Sequence, residues 1–382
     1  MLSIERIYLL VENDIPIGLS AQQSIPQIPV HSTADFLKLP TNLYLGEVAG
    51  VAINSKGHIF VLSRGNTVGP AYAAAATQLL EFNEDGSYIR EIGHNLYAWS
   101  YAHAVKVDNQ DNIWVADKGS DMVIKFDPQG RVVMVFGRKQ EASDEDTAPL
   151  KHVSPPLPPV DGQFRQVTDV AWDEAGNTYI TDGYINSRVA KVDRDGNWIK
   201  SWGELGSGPG QFLQPHSIAT DSHGNVYVAD RGNRRIQVFD GDGKYFREIH
   251  IDVPYDHSIH PWMGNMPDSS TTHTEQTSHA DQRAPVNKTM QNGAPWAICI
   301  TPGPDPVLVT SDGYPGRVYK LKLDGTVLGV FGQSGHQPGQ FGWIHEIACP
   351  SENKIYVAEL LNWRLQMIVL EPPQIGSSQS KH

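Results

Sequence analysis

Apolar and polar positions alternate along most of this chain in short runs, and turns rich in Gly, Asn and Asp separate the runs. Six stretches repeat one plan of two alternating runs around a turn. They are Val51-Ala-Ile-Asn54 with His58-Ile-Phe-Val61, Val105-Lys-Val-Asp108 with Asn112-Ile-Trp-Val-Ala-Asp117, and Val170-Ala-Trp-Asp173 with Asn177-Thr-Tyr-Ile-Thr-Asp182. Then come Ile218-Ala-Thr-Asp221 with Asn225-Val-Tyr-Val-Ala-Asp230, Ile298-Cys-Ile-Thr301 with Val307-Leu-Val-Thr-Ser311, and Ile347-Ala-Cys-Pro350 with Lys354-Ile-Tyr-Val-Ala-Glu359. Third and fourth runs follow in several copies, such as Val123-Ile-Lys-Phe-Asp127 and Val132-Val-Met-Val-Phe-Gly137, and Gly-Gln-Phe opens units at Gly162, Gly210 and Gly339. A period of two with regularly spaced turns predicts antiparallel strands, and four strands in roughly 40–45 residues is the plan of a propeller blade.

Six copies predict an all-β, six-bladed β-propeller with four-stranded blades over residues 46–372. Each blade has apolar faces that it cannot bury alone, so the ring must close. The last copy ends after its third strand near Leu370, and the N-terminal segment 1–45 is expected to supply the missing strand. Residues 138–161 and 251–292 break the rhythm and read as long inter-strand loops, either functional lids or mobile segments. Residues 373–382 read as a disordered tail.

Composition narrows the partners. Gly (35) and Pro (26) are too frequent among 382 residues for a helical protein and suit one built from tight turns. The net charge of −13 argues against nucleic-acid or anionic-membrane partners, which select clustered positive charge. No apolar run approaches the roughly 18 residues that span a bilayer. The first residues lack a basic start and a small-residue cleavage site. With only Cys299 and Cys349 present, the expectation is a reducing, cytoplasmic location without a disulfide framework.

Candidate chemistry emerges when the copies are aligned on their first run. The turn position holds Asn54, Asp108, Asp173, Asp221, Thr301 and Pro350. Five residues upstream stand Ala49, His103, Thr168, His216, Trp296 and His345, so histidine occupies alternate blades only. The first strand of a propeller blade lines the central channel, and the three imidazoles are expected to converge at one depth. Such a set makes an open three-ligand site that suits zinc or another divalent transition metal. Ten residues after the turn position stand Arg64, Lys118, Gly183, Arg231, Ser311 and Leu360, at an end of the channel. Cations beside a metal suit a small anionic substrate. Lys118 reads instead as a solvated loop charge. Tyr184 follows the third-blade position, and its phenol would be acidified by Arg and metal neighbours. Asp312-Gly-Tyr314 repeats the Asp182-Gly-Tyr184 tripeptide in blade five.

Together these residues resemble an NHL-repeat propeller and, within that class, peptidyl-α-hydroxyglycine α-amidating lyase. The resemblance is carried by Ser63-Arg64-Gly65, by Asp182-Gly-Tyr-Ile-Asn-Ser-Arg188, by Pro215-His216-Ser217 with Ala229-Asp-Arg-Gly-Asn-Arg-Arg-Ile-Gln237, and by His103 and His345. It implies that the three histidines bind zinc, that Tyr184 is the base and that Arg64 and Arg231 flank it. It also implies a structural calcium held by the carbonyls of Val51 and Val105 and the side chain of Glu346. Departures from the family pattern are Glu346 in place of Asp, Trp343-Ile-His345 in place of Met-Pro-His, Ile185 in place of a cysteine, and no monooxygenase domain. The expected activity is a zinc-dependent lyase that breaks the C–N bond of an N-substituted α-hydroxy acid or carbinolamide, releasing glyoxylate or a related oxo acid. A metal-dependent lactonase or esterase and a non-catalytic NHL interaction module are the alternatives.

Overall fold

The computed structural model describes residues 25–65, 77–139, 158–256 and 287–371. The central parts of the two predicted loops (140–157 and 257–286) and the tail from 372 onward lie outside the described residues. The strands form six four-stranded antiparallel sheets arranged as a propeller. The innermost strands are Val48–Ile53, Ala102–Val107, Asp169–Trp172, Pro215–Thr220, Pro295–Ile300 and Ile344–Ser351, which define blades one to six.

Each of the first five blades is a continuous meander. Blade six takes its outer strand from the other end of the chain: Val30–Thr33 pairs antiparallel with Arg364–Leu370, with Val30 opposite Leu370 and Thr33 opposite Met367. The ring is thereby sealed by backbone hydrogen bonds between segments far apart in sequence. Burial follows the same logic. Six hydrophobic clusters each lie between adjacent blades, for example Phe60, Leu62 and Ile92 of blade one against Trp99, Val105 and Ile113 of blade two. No helix among the described residues is long and apolar enough to cross a membrane.

Two local findings adjust the sequence alignment. In blades two to four the first turn closes between residues four apart, as from the Asp108 N–H to Asn112 O, whereas in blade five it runs from the Thr301 N–H to Val307 O. The two extra residues shift the second strand, so Asp312 pairs with Pro295 as Asp117 pairs with Ala102. Gly313, and not Ser311, therefore stands at the strand-exit position of blade five. The second finding is that Cys299 and Cys349 form a disulfide between the innermost strands of blades five and six. Such bonds are common in oxidising compartments and rare in reducing ones. This one departs from the expectation of no disulfide framework, because the two cysteines lie 50 residues apart on strands of different sheets that only the ring sets side by side.

Candidate metal centre and active site

The innermost strands do not run evenly past the channel. Pairing registers slip at Val48/Gly50, Ala102/Ala104, Pro215/Ser217, Pro295/Ile298 and Ile344/Glu346. The channel residue lies inside each slip: Ala49, His103, His216, Trp296 (beside Ala297) and His345. A bulge re-aims one side chain out of the pleat, and here it turns three imidazoles toward the axis. Alternation alone does not reveal these bulges.

His103, His216 and His345 are buried, and their ring centroids lie 4.6–4.9 Å apart. The Nδ1 atoms meet the backbone carbonyls of Thr168 (2.6 Å), Trp296 (2.7 Å) and Ala49 (2.7 Å), the channel residues of the next blades round the ring. Each carbonyl requires a proton on Nδ1, which leaves the Nε2 lone pair facing the axis. The candidate ligand atoms lie within 4.8 Å of one another, and Nε2 of His216 has no protein partner. Burial, reinforced by neighbouring Arg64, Lys118 and Arg231, holds the three imidazoles well below their ordinary pKa and hence neutral. This donor set fits a transition ion with one side open.

The strand-exit loops stand around this triangle. Their backbones are tied to the entry of the innermost strand of the same blade: the N–H groups of Arg64, Lys118 and Leu360 donate to the carbonyls of Glu47, Tyr101 and Trp343 at 2.9–3.1 Å. Buried acids at the ends of the second strands hold the loops. Asp117 accepts the N–H groups of Ser100, Tyr101 and Ser120, and Asp230 accepts that of Leu213 together with Asn233 and Arg235. These acids recur in the sequence, and sequence reading assigns them no role. Gly183 permits a close approach, since a Cβ there would stand 1.9 Å from the carbonyl oxygen of Pro215, just before His216.

Tyr184 lies beside the triangle, with its hydroxyl 3.4 Å from Nε2 of His103. Arg231 is buried, with its guanidinium 5.6 Å from the Tyr184 ring centroid and 4.1 Å from that of Trp296. It donates to Gln214 Oε1 at 3.1 Å, and its Nε and Nη1 have no protein acceptor. Arg64 pairs with Glu47 at 2.6 Å, donates to Ala102 O at 3.0 Å and covers the ring of Tyr101. Lys118 is not a solvated loop charge. Its Nζ sits 3.9 Å from the Tyr184 ring centroid and 5.2 Å from that of Tyr101, and burial together with Arg64 and Arg231 depresses its pKa. Burial works to raise the Tyr184 pKa, but Arg231, Lys118 and Arg64 together outweigh it and hold the phenol below its ordinary value. On the other side Trp296 and Trp343 pack edge to face at 5.1 Å, giving an aromatic wall. Ser311 and Leu360 of the aligned set supply no charge here.

At the residues matched to a calcium site, a side chain of the protein itself supplies a positive charge. Glu346 Oε2 accepts the N–H groups of Val51 (3.3 Å) and Val105 (3.1 Å), and Oε1 faces the Lys106 ammonium at 3.5 Å. A monovalent cation of the chain itself already stands beside the carboxylate.

The NHL repeat family matches residues 212–239. Peptidylglycine alpha-amidating monooxygenase of Rattus norvegicus is 32% identical over 229 residues, which are 53% of this chain and 22% of that protein. The chain thus spans about a fifth of that relative's length. A probable peptidyl-alpha-hydroxyglycine alpha-amidating lyase of Caenorhabditis elegans is 26% identical over 314 residues, covering 73% of this chain and 83% of its own. Among solved structures, a streptogramin B lyase superposes with a TM-score of 0.52 at 13% identity, covering 90% of this chain and 98% of that one, and this likeness concerns the fold.

Proposed function

For this chain, an amidating-lyase-like six-bladed propeller of the NHL-repeat type, we propose a lyase reaction on a small anionic N-substituted α-hydroxy acid. The observation that carries the reading is the placement of the Tyr184 hydroxyl 3.4 Å from the axial nitrogen of His103, with Arg231 and Lys118 against its ring. His103, His216 and His345 would hold zinc or another divalent transition ion, which when bound supplies Lewis acidity toward the substrate hydroxyl.

The chain's own residues account for the remaining steps. Tyr184 as phenolate takes the hydroxyl proton. As the C–O bond becomes a carbonyl, the C–N bond breaks and its electron pair leaves with nitrogen. Tyr184 returns the proton to that nitrogen, so an amide and glyoxylate, or a related oxo acid, are formed without a further reactant. The unpaired donors of Arg231 and the Lys118 ammonium bind the substrate carboxylate and keep Tyr184 ionised, while Arg64 fixes Tyr101 beneath Lys118. Trp296 and Trp343 give the N-acyl group an apolar surface. The disulfide supports an oxidising compartment for the reaction.

The test is release of an oxo acid from an N-acyl-α-hydroxyglycine, run beside a lactone. Oxo-acid release that depends on Tyr184 supports the lyase. Lactone cleavage that survives loss of the phenol supports a hydrolase, and purified protein that takes up no transition metal supports an interaction module.

A further inference from the structure

Next to the histidine layer, the innermost strands place Gly50, Ala104, Asp169, Ser217, Ala297 and Glu346. Two of these are acids, both buried. Asp169 accepts the N–H groups of Val170 (2.8 Å) and Ile218 (3.1 Å) and the Ser217 hydroxyl (2.7 Å), and Ser217 Oγ accepts the N–H of Ile298 at 3.2 Å. Glu346 accepts from Val51 and Val105. The hydrogen-bonded set therefore touches all six blades. Gly50 is part of its construction, because a Cβ there would stand 2.5 Å from Glu346 Oε2.

Two buried carboxylates need a counter-charge, since burying an unpaired ion is costly. Lys106 supplies it. It lies on the innermost strand of blade two, two residues beyond Ala104 and so on the same face. Its Nζ stands 3.3 Å from Asp169 Oδ2 of blade three and 3.5 Å from Glu346 Oε1 of blade six. We propose that Lys106 is the resident cation of this channel, bridging Asp169 and Glu346 so that the ring is closed at its axis without calcium. A divalent ion beside Glu346 would face the ammonium at a few ångströms, where like charges repel strongly in a partly buried site. The inference stands apart from the proposed reaction, for it concerns only how the propeller is held.

The experiment uses the full chain, equilibrated with calcium and zinc together and then desalted. Metal analysis of the wild type should find no stoichiometric calcium, and added calcium should leave its melting temperature unchanged. Lys106→Met keeps most of the stem and removes the charge. It should melt several degrees lower and recover on addition of calcium, and the recovery should vanish in Lys106→Met/Glu346→Gln. Lys106→Arg, which keeps the charge, should fold and stay insensitive to calcium, so the inference remains testable if Lys106→Met does not fold. One calcium per wild-type chain, a calcium-dependent wild-type melting temperature, or a Lys106→Met protein as stable as wild type without calcium would overturn it.

Discussion

The Tyr184 hydroxyl of blade three lies 3.4 Å from Nε2 of His103 in blade two, and the Lys118 ammonium, also from blade two, lies 3.9 Å from the same phenol ring. An acidified phenol is thereby placed beside a three-imidazole site, and the proposed chemistry turns on that placement. Tyr184→Phe should keep the fold and the metal content while turnover falls by roughly 10²–10⁴-fold, the usual range for a general base. Tyr314 is the control. It occupies the matching position in blade five, yet it packs against Tyr255 and its pKa is pushed up to about 12 by burial and that neighbour. Tyr314→Phe should leave turnover nearly unchanged. Steady-state rates at equal metal content check both, and equal small effects would remove Tyr184 from the reaction.

Lys118→Met tests the cation beneath the phenol. Removing a positive neighbour makes ionisation of Tyr184 harder, so the acidic limb of the pH–rate profile should move to higher pH. The KM for an anionic substrate should rise as well. A limb that stays in place would show that Lys118 acts only through packing.

His216→Ala should abolish stoichiometric metal binding, since its Nε2 has no other partner. Metal analysis after saturation and desalting gives the answer. A variant that retains wild-type metal content would exclude the triangle as the binding site.

The same histidines predict an acid sensitivity of the metal-free protein. Their folded pKa values are depressed, while the unfolded chain protonates them near 6.5. Below that value the unfolded state binds more protons, so stability is full above about pH 6.5 and falls as pH drops. Each histidine contributes up to about 1.4 kcal/mol per pH unit. As pH drops below about 6.5, denaturation midpoints should fall more steeply for the wild type than for His103→Asn.

Loss of the Cys299–Cys349 bond should lower stability by roughly 2–4 kcal/mol, the typical contribution of such a link. Denaturation of oxidised and reduced protein measures it, and coincident curves would mean that the bond contributes nothing to closure.

Much of this architecture can be read from the chain because a propeller writes its geometry as a repeat. Alternation marks the strands, and the shared offset brings His103, His216 and His345 to one depth. What the pattern cannot carry is contact between blades. Lys118 looks like a loop cation until Tyr101 and Tyr184 close over it, and those rings come from its own blade's entry loop and from blade three. Lys106 sits in an ordinary alternating run, and its role depends on Asp169 and Glu346 from two other blades. Ser311 is misplaced by a fixed offset because blade five has a longer turn. The bulges that aim the histidines are invisible for the same reason, since a bulge is defined by the partner strand.

The most direct measurement is the product balance with an N-acyl-α-hydroxyglycine, comparing metal-loaded wild type with Tyr184→Phe at the same metal content. The account predicts one glyoxylate and one amide for each substrate consumed by the wild type, and a large loss of both in the variant. Wild-type protein with a full metal site that releases neither product, or a Tyr184→Phe variant that releases both at the wild-type rate, would contradict it.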